Sequence, residues 1–119
     1  MATTKRHSSE CIRFRSETYL RWVRAQPCVM CGAPADDAHH AIGLHDDLSG
    51  MALTASDLFA LPVCRYHHTL IHNHAGLQHW QPRWLIETLE RAQWQFTGDL
   101  QQHITNALTQ LEEQHAGDD

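Results

Sequence analysis

Cysteine and histidine are unusually common in this chain of 119 residues, which contains four Cys and eleven His. Cys28 and Cys31 form a C-x-x-C pair, and Cys64 and His67 form a C-x-x-H pair after 32 intervening residues. Thiolates and imidazole are preferred ligands of Zn²⁺, and the two-residue gap lets both side chains of a pair converge on one ion. Four protein ligands leave no open position, so the spacing predicts a structural zinc. Cys11 lies outside this pattern, and we expect a free thiol there.

A second group of histidines has the spacing of a catalytic metal site. His68 and His72 are four residues apart in a helical pattern, which places both rings on one helix face. His39 and His40 are adjacent on an extended segment, so their side chains point in divergent directions. One of the two is therefore expected to bind metal with the helical pair, and the other to act as a general base. Three imidazoles leave coordination positions open, and they favour transition metals over Mg²⁺.

The elements that must position these side chains read as an α+β pattern. Ser16 is a candidate N-cap for a short helix that ends at Gln26-Pro27, and residues 37–42 and 58–63 are candidate strands joined by a loop. A helix begins at Arg65 and is stopped by residues 73–76, and Pro82 opens another. Gly98 is expected to separate that helix from the last one. The apolar stripe of each of these two helices predicts packing in the core or against a second copy of the chain. The first stripe is Leu85, Leu89, Ala92 and Phe96, and the second is Leu100, Ile104, Ala107, Leu108 and Leu111. The four tryptophans are also expected to pack rather than stack on bases: Trp22, Trp80, Trp84 and Trp94.

Charge is distributed unevenly along the chain, whose formal net charge is −5. Residues 1–27 carry six Lys and Arg against two Glu, whereas the remainder carries three Arg and twelve acidic residues. Such a basic segment is suited to phosphate, although a solvated charged arm would have the same composition. No stretch approaches the ~20 apolar residues of a membrane span, and the polar start shows no secretory signal. We therefore expect a cytoplasmic protein that does not contact a membrane.

The order of the motifs over roughly residues 14–80 resembles the zinc-containing HNH endonucleases, especially small prophage-encoded members and relatives of the phage Ref recombination-enhancing nuclease. The resemblance rests on Cys28-x-x-Cys31-Gly32, Asp37-Ala38-His39-His40, Ser56-Asp57-Leu58, and Leu61-Pro62-Val63-Cys64-Arg65-Tyr66-His67-His68 followed by His72. It implies a small ββα-metal core stapled by a structural zinc, which together with an N-terminal helix occupies residues 16–80. Residues 1–15 would be a basic arm. The resemblance does not extend to residues 81–119, whose two apolar stripes predict a helical extension that packs on the core or on a second copy of the chain.

The resemblance also implies a role for each site residue. His39 would be a metal ligand with His68 and His72, and His40 would be the general base. Asp57 stands where the family has its central Asn, a departure that adds negative charge near the base. His67 in place of a knuckle Cys is a smaller departure.

The activity implied is hydrolysis of DNA phosphodiester bonds with one divalent metal, Mg²⁺, Mn²⁺, Ni²⁺ or Zn²⁺, beside the structural Zn²⁺. DNA would be held by its backbone with weak sequence specificity, and a recombination protein is a further expected partner. Two alternatives are a zinc-binding DNA module without catalysis and a protein-interaction adaptor. The candidate phosphate contacts are Arg13, Arg15, Arg21, Arg24 and Arg65.

Overall fold

The computed structural model describes residues 14–42 and 56–116, and within these ranges it is a small α+β protein with five helices and a two-stranded sheet. Arg13 and Cys11 therefore lie outside the described residues. The elements in chain order are α1 (Glu17–Arg24), β1 (Asp37–His40), a 3₁₀ helix (Asp57–Phe59), β2 (Ala60–Val63), α2 (Arg65–Asn73), α3 (Ala75–Gln78), α4 (Gln81–Ala92) and α5 (Gly98–Ala116). Among the described helices, none combines the length and apolar character that a bilayer crossing requires.

Helix α1 begins where the sequence predicts. The Ser16 hydroxyl accepts a hydrogen bond from the backbone N–H of Tyr19 at 3.1 Å, which satisfies one of the free donors of the first turn. Glu17 places an acidic group beside the positive end of the helix. Tyr19 and Val23 are one turn apart and fully buried, so this face attaches the helix to the core. The helix ends at Arg24, before Pro27.

Strands β1 and β2 form an antiparallel pair in which Asp37 lies opposite Val63 and His40 lies opposite Ala60. The predicted strand over 58–63 is too long at its start, because Asp57–Phe59 folds as a 3₁₀ helix capped by the Ser56 hydroxyl. The side-chain cap at Ser56 therefore favours a helical turn at residues that an apolar run alone would place in a strand. The expected loop 43–57 falls largely outside the described residues.

The C-terminal half is helical, and two boundaries differ from prediction. The segment 73–76 ends α2 but also starts the short helix α3, so Gly76 is helical rather than a stop. Gly98 begins α5 instead of ending α4, which already stops at Ala92. Pro82 lies in the first turn of α4, as predicted.

The two apolar stripes pack against each other and against the sheet in one hydrophobic core. The buried members of the stripes are Leu85, Leu89, Ala92, Ile104, Ala107, Leu108 and Leu111. Phe96 and Leu100 are partly buried at its edge, as are Trp22 and Trp84. The expectation that all four Trp pack is wrong for Trp94, 79% exposed, and for Trp80, 47% exposed.

Candidate functional site

The side chains of Cys28, Cys31, Cys64 and His67 converge, with ligand atoms within 4.8 Å of one another. The Cys31 and Cys64 sulfurs are 3.9 Å apart, and His67 Nδ1 lies 3.2 Å from Cys64 Sγ and 3.7 Å from Cys28 Sγ. Tetrahedral zinc with Zn–S bonds of 2.3 Å would separate its sulfurs by about 3.8 Å. These spacings suit a shared metal ion, and the group therefore can hold one.

Local backbone geometry prepares the first pair for this role. Gly32 has φ 78°, a conformation that favours glycine, and its N–H donates to the Cys28 carbonyl at 2.9 Å. The Met30 N–H points at Cys28 Sγ, 3.4 Å away. Burial opposes ionisation of the Cys28 thiol, but backbone donors at Cys64, Met30 and Cys31 outweigh it and lower the pKa of Cys28. A thiolate is the form that binds metal.

A second cluster joins the strand to the helix that follows the sheet. The ring of His39 on β1 lies 4.9 Å from that of His68 and 5.2 Å from that of His72, both on α2, with the latter pair also 5.2 Å apart. One ring nitrogen from each lies within 4.8 Å of the others. His39 is buried, His68 half-buried and His72 exposed. The cluster can thus hold a metal ion that solvent reaches from one side.

The buried member of this cluster is kept neutral. Desolvation by burial, opposed by a hydrogen bond to Gln81 and reinforced by the nearby histidines 68, 72 and 40, lowers the pKa of His39 to about 4. His39 Nε2 lies 2.9 Å from Gln81 Oε1, and Gln81 is itself fully buried at the start of α4. A neutral imidazole retains the lone pair that a metal ligand needs.

The half-buried member is oriented by a carboxylate. His68 Nδ1 lies 2.9 Å from Asp37 Oδ2, which also accepts from Arg65 Nε at 3.1 Å. His68 and then Arg65 hold the pKa of Asp37 below its usual range. Since a carboxylate only accepts, His68 carries its proton on Nδ1 and leaves Nε2 free as the ligating atom.

His40 lies outside the three-histidine cluster and contacts a different acid. Its Nε2 atom is 2.8 Å from Asp57 Oδ1, and the side chains are 36% and 4% exposed respectively. The other oxygen of Asp57 accepts the backbone N–H of Ser16 at 2.7 Å, and Arg15 Nη1 lies 3.6 Å from Oδ1. The two adjacent histidines therefore face different partners, as their alternation along a strand predicts. His39 faces His68 and His72, whereas His40 faces Asp57.

The sequence is similar to one family of proteins and to one individually described protein. The family described as "Protein of unknown function (DUF968)" matches residues 5–92. This chain belongs to DUF968. An "Uncharacterized protein YdfU" of Escherichia coli (strain K12) is 55% identical over 60 residues, which cover 50% of this chain and 17% of that protein. The chain thus spans a small part of that relative's length, and no solved structure matches it.

The DUF968 match contains both clusters and their hydrogen-bond partners, whereas α5 lies beyond it. Of the predicted phosphate contacts, Arg15 and Arg21 are exposed, Arg24 pairs with Glu17, and Arg65 is committed to Asp37. An arginine already paired with a carboxylate in this way is a weaker phosphate contact than an unpaired one.

Gln81 and Asp37 are site residues to which the sequence pattern assigns no function, although the position of each in its element indicates one. Gln81 lies four residues before Leu85, so it is a polar residue on the buried stripe of α4. Asp37 lies two residues before His39 on β1 and therefore shares its strand face. Polar residues at core-facing positions of this kind are candidates for partners of buried ligands.

Proposed function

We propose that this protein is a metal-dependent DNA endonuclease of the HNH type, in which β1, β2 and α2 form the ββα-metal core. The observation that carries the proposal is the convergence of His39 from the strand with His68 and His72 from the helix. A Cys₃His group beside the start of the same helix supports a structural zinc that staples the core. Zinc there would fix the position of α2 relative to the Cys28 knuckle.

The three imidazoles fit a divalent metal by their chemistry and by their surroundings. His39 is neutral, His68 is oriented by Asp37, and His72 is exposed, so a metal held by the three rings would be open to solvent. A metal bound here would supply electrostatic stabilisation of the charge that develops on the phosphate and the leaving 3′ oxygen. Imidazole ligands favour transition metals such as Ni²⁺ or Zn²⁺ over Mg²⁺.

His40 is the general base in this proposal. Asp57 can only accept, so the proton of neutral His40 lies on Nε2 and the lone pair lies on Nδ1. That nitrogen takes a proton from the water that attacks phosphorus, and the Asp57 carboxylate stabilises the imidazolium that results. The half-exposed position of His40 gives water access to its ring.

We propose DNA as the substrate because the N-terminal segment presents basic side chains, one of which lies beside the acid that contacts the candidate base. Arg15 lies beside Asp57, and Arg21 is exposed on α1. Contacts of this kind bind the phosphate backbone and carry no sequence information, so we expect weak sequence specificity and strong salt dependence.

A plasmid-nicking assay tests the proposal. Zinc-loaded protein is incubated with supercoiled DNA and Mg²⁺, Mn²⁺ or Ni²⁺, with and without chelator. We expect metal-dependent nicking that His40→Ala reduces by about 10²–10⁴-fold at unchanged zinc content, whereas the control His79→Ala, an exposed residue outside both clusters, retains it. DNA binding without nicking would indicate a non-catalytic DNA module, and no DNA affinity at low salt would indicate an adaptor. Either result contradicts the nuclease assignment.

A further inference from the structure

Gln81 is a fully buried polar side chain whose hydrogen-bonding groups are all engaged. Its Oε1 atom accepts the backbone N–H of Ile42 at 3.1 Å and lies 2.9 Å from His39 Nε2. Its Nε2 atom donates to the carbonyl oxygens of Ile42 and of Gln78. If the amide were turned over, its NH₂ group would face the N–H of Ile42, and its oxygen would face the carbonyl oxygens of Ile42 and Gln78. Neither arrangement can form hydrogen bonds, so the backbone determines that the amide oxygen faces His39.

This orientation determines where the proton of His39 resides. Because Gln81 Oε1 is an acceptor, His39 Nε2 must be the donor of their hydrogen bond. A neutral imidazole has one N–H, so Nδ1 keeps the lone pair. His68 shows the reverse arrangement, since its Nδ1 faces Asp37. Neighbouring histidines are thus held in opposite tautomers by two different partners.

We propose that Gln81 is a positioning residue that fixes Nδ1 of His39 as the metal-ligating atom and makes helix α4 part of the metal site. The inference rests on the proposed function, in that it assumes a divalent metal at the three-histidine cluster. It gives the start of the C-terminal helical segment a role at the site in addition to the packing that its sequence pattern predicts. Through Ile42, the same amide also holds the segment that follows β1.

The tautomer is measured directly by long-range ¹H–¹⁵N NMR of the His39 ring in wild-type protein that carries its structural zinc and no second metal. We expect Nε2 to resonate as a protonated nitrogen and Nδ1 as an unprotonated one. A protonated Nδ1 with a bare Nε2 would overturn the inference without any variant being made.

Two variants separate the tautomer from the structural cost of losing Gln81. Gln81→Met and Gln81→Glu both remove the donor bonds to Ile42 and Gln78, but only Glu retains an acceptor for His39 Nε2–H. We expect Gln81→Met to weaken Ni²⁺ binding by about 10–100-fold and to mix the two tautomers, while Gln81→Glu keeps the Nε2–H tautomer. The control Gln78→Ala removes a nearby hydrogen bond to the Ile71 carbonyl without contact to His39, and its Ni²⁺ affinity should match wild type.

The outcomes distinguish this inference from the proposed function. Equal Ni²⁺ affinity and an unchanged tautomer in Gln81→Met, at one zinc per chain, would refute the role of Gln81. If wild-type protein binds no second metal, the proposed function fails instead. The NMR tautomer then still decides whether Gln81 directs the His39 proton.

Discussion

The Nε2 atom of His40 lies 2.8 Å from Oδ1 of Asp57, which joins a half-exposed imidazole on β1 to a buried carboxylate at the start of the 3₁₀ helix. The second oxygen of that carboxylate binds the N–H of Ser16, the N-cap of α1. One side chain therefore connects the candidate base with two other segments of the fold. Under the proposed function, these two contacts are what Asp57 supplies where the HNH family is expected to have its Asn.

Replacing Asp57 separates its two roles. Asp57→Asn can accept from either His40 or Ser16 N–H but not from both, so we expect a loss of about 1–3 kcal/mol in the free energy of unfolding and partial retention of nicking. Asp57→Ala loses both bonds, and we expect its kcat to fall more than its KM changes. Urea unfolding and nicking kinetics measure these effects, with the exposed Glu90→Gln as control. Wild-type kcat in Asp57→Ala would show that the carboxylate does not act on His40.

Removal of one ligand from the Cys₃His group should cost much more stability than removal of an unrelated thiol. Apparent binding free energies of structural zinc are of the order of 10–16 kcal/mol, comparable to the whole stability of a small domain. We therefore expect Cys64→Ser to lose its zinc and its cooperative thermal transition, and Cys11→Ser to keep both. A cooperative transition in zinc-free Cys64→Ser protein would contradict a structural zinc.

The ionisation of His39 predicts how stability depends on pH. Its pKa is lowered by burial to about 4 in the folded protein, whereas an exposed His titrates at about 6.5. The unfolded chain thus takes up this proton first, so the folded state loses stability as the pH falls from about 6.5 toward about 4. NMR of the His39 ring, without a second metal, should show the neutral form down to about pH 5. A midpoint near the ordinary value would contradict the burial of this ring.

The hydroxyl of Tyr19 is buried without a hydrogen-bond partner among the described residues, and desolvation raises its pKa. Removing it should relieve a desolvation penalty, so we expect Tyr19→Phe to increase the free energy of unfolding by about 1 kcal/mol. The exposed Tyr66→Phe serves as control and should leave stability unchanged. A clear loss of stability in Tyr19→Phe, measured by urea unfolding, would mean that this hydroxyl has a partner.

Local signals in the sequence were sufficient for the features that depend on local chemistry. The Ser16 cap and the Pro82 helix start follow from which backbone donors need partners, and the C-x-x-C and C-x-x-H spacings locate the first cluster. The 3₁₀ helix at Asp57 was not predicted, because the apolar run over residues 58–63 indicates a strand. The helical conformation of Gly76 was not predicted, because glycine usually ends a helix.

The partners of the histidines could not be predicted because they come from distant parts of the chain. Gln81 meets His39 across 42 positions, and Asp37 meets His68 across 31. Sequence periodicity shows only that such residues occupy a buried face or a shared strand face. Which ligand they contact depends on how α4 and β1 pack, which is a property of the whole fold.

The most direct test of the account is anomalous diffraction from crystals soaked in Ni²⁺, recorded at the nickel and zinc absorption edges. We expect a zinc peak among Cys28, Cys31, Cys64 and His67, and a separate nickel peak about 2.0–2.2 Å from His39 Nδ1, His68 Nε2 and a ring nitrogen of His72. A zinc peak alone, with the three imidazoles free of metal at saturating Ni²⁺, would contradict the nuclease site.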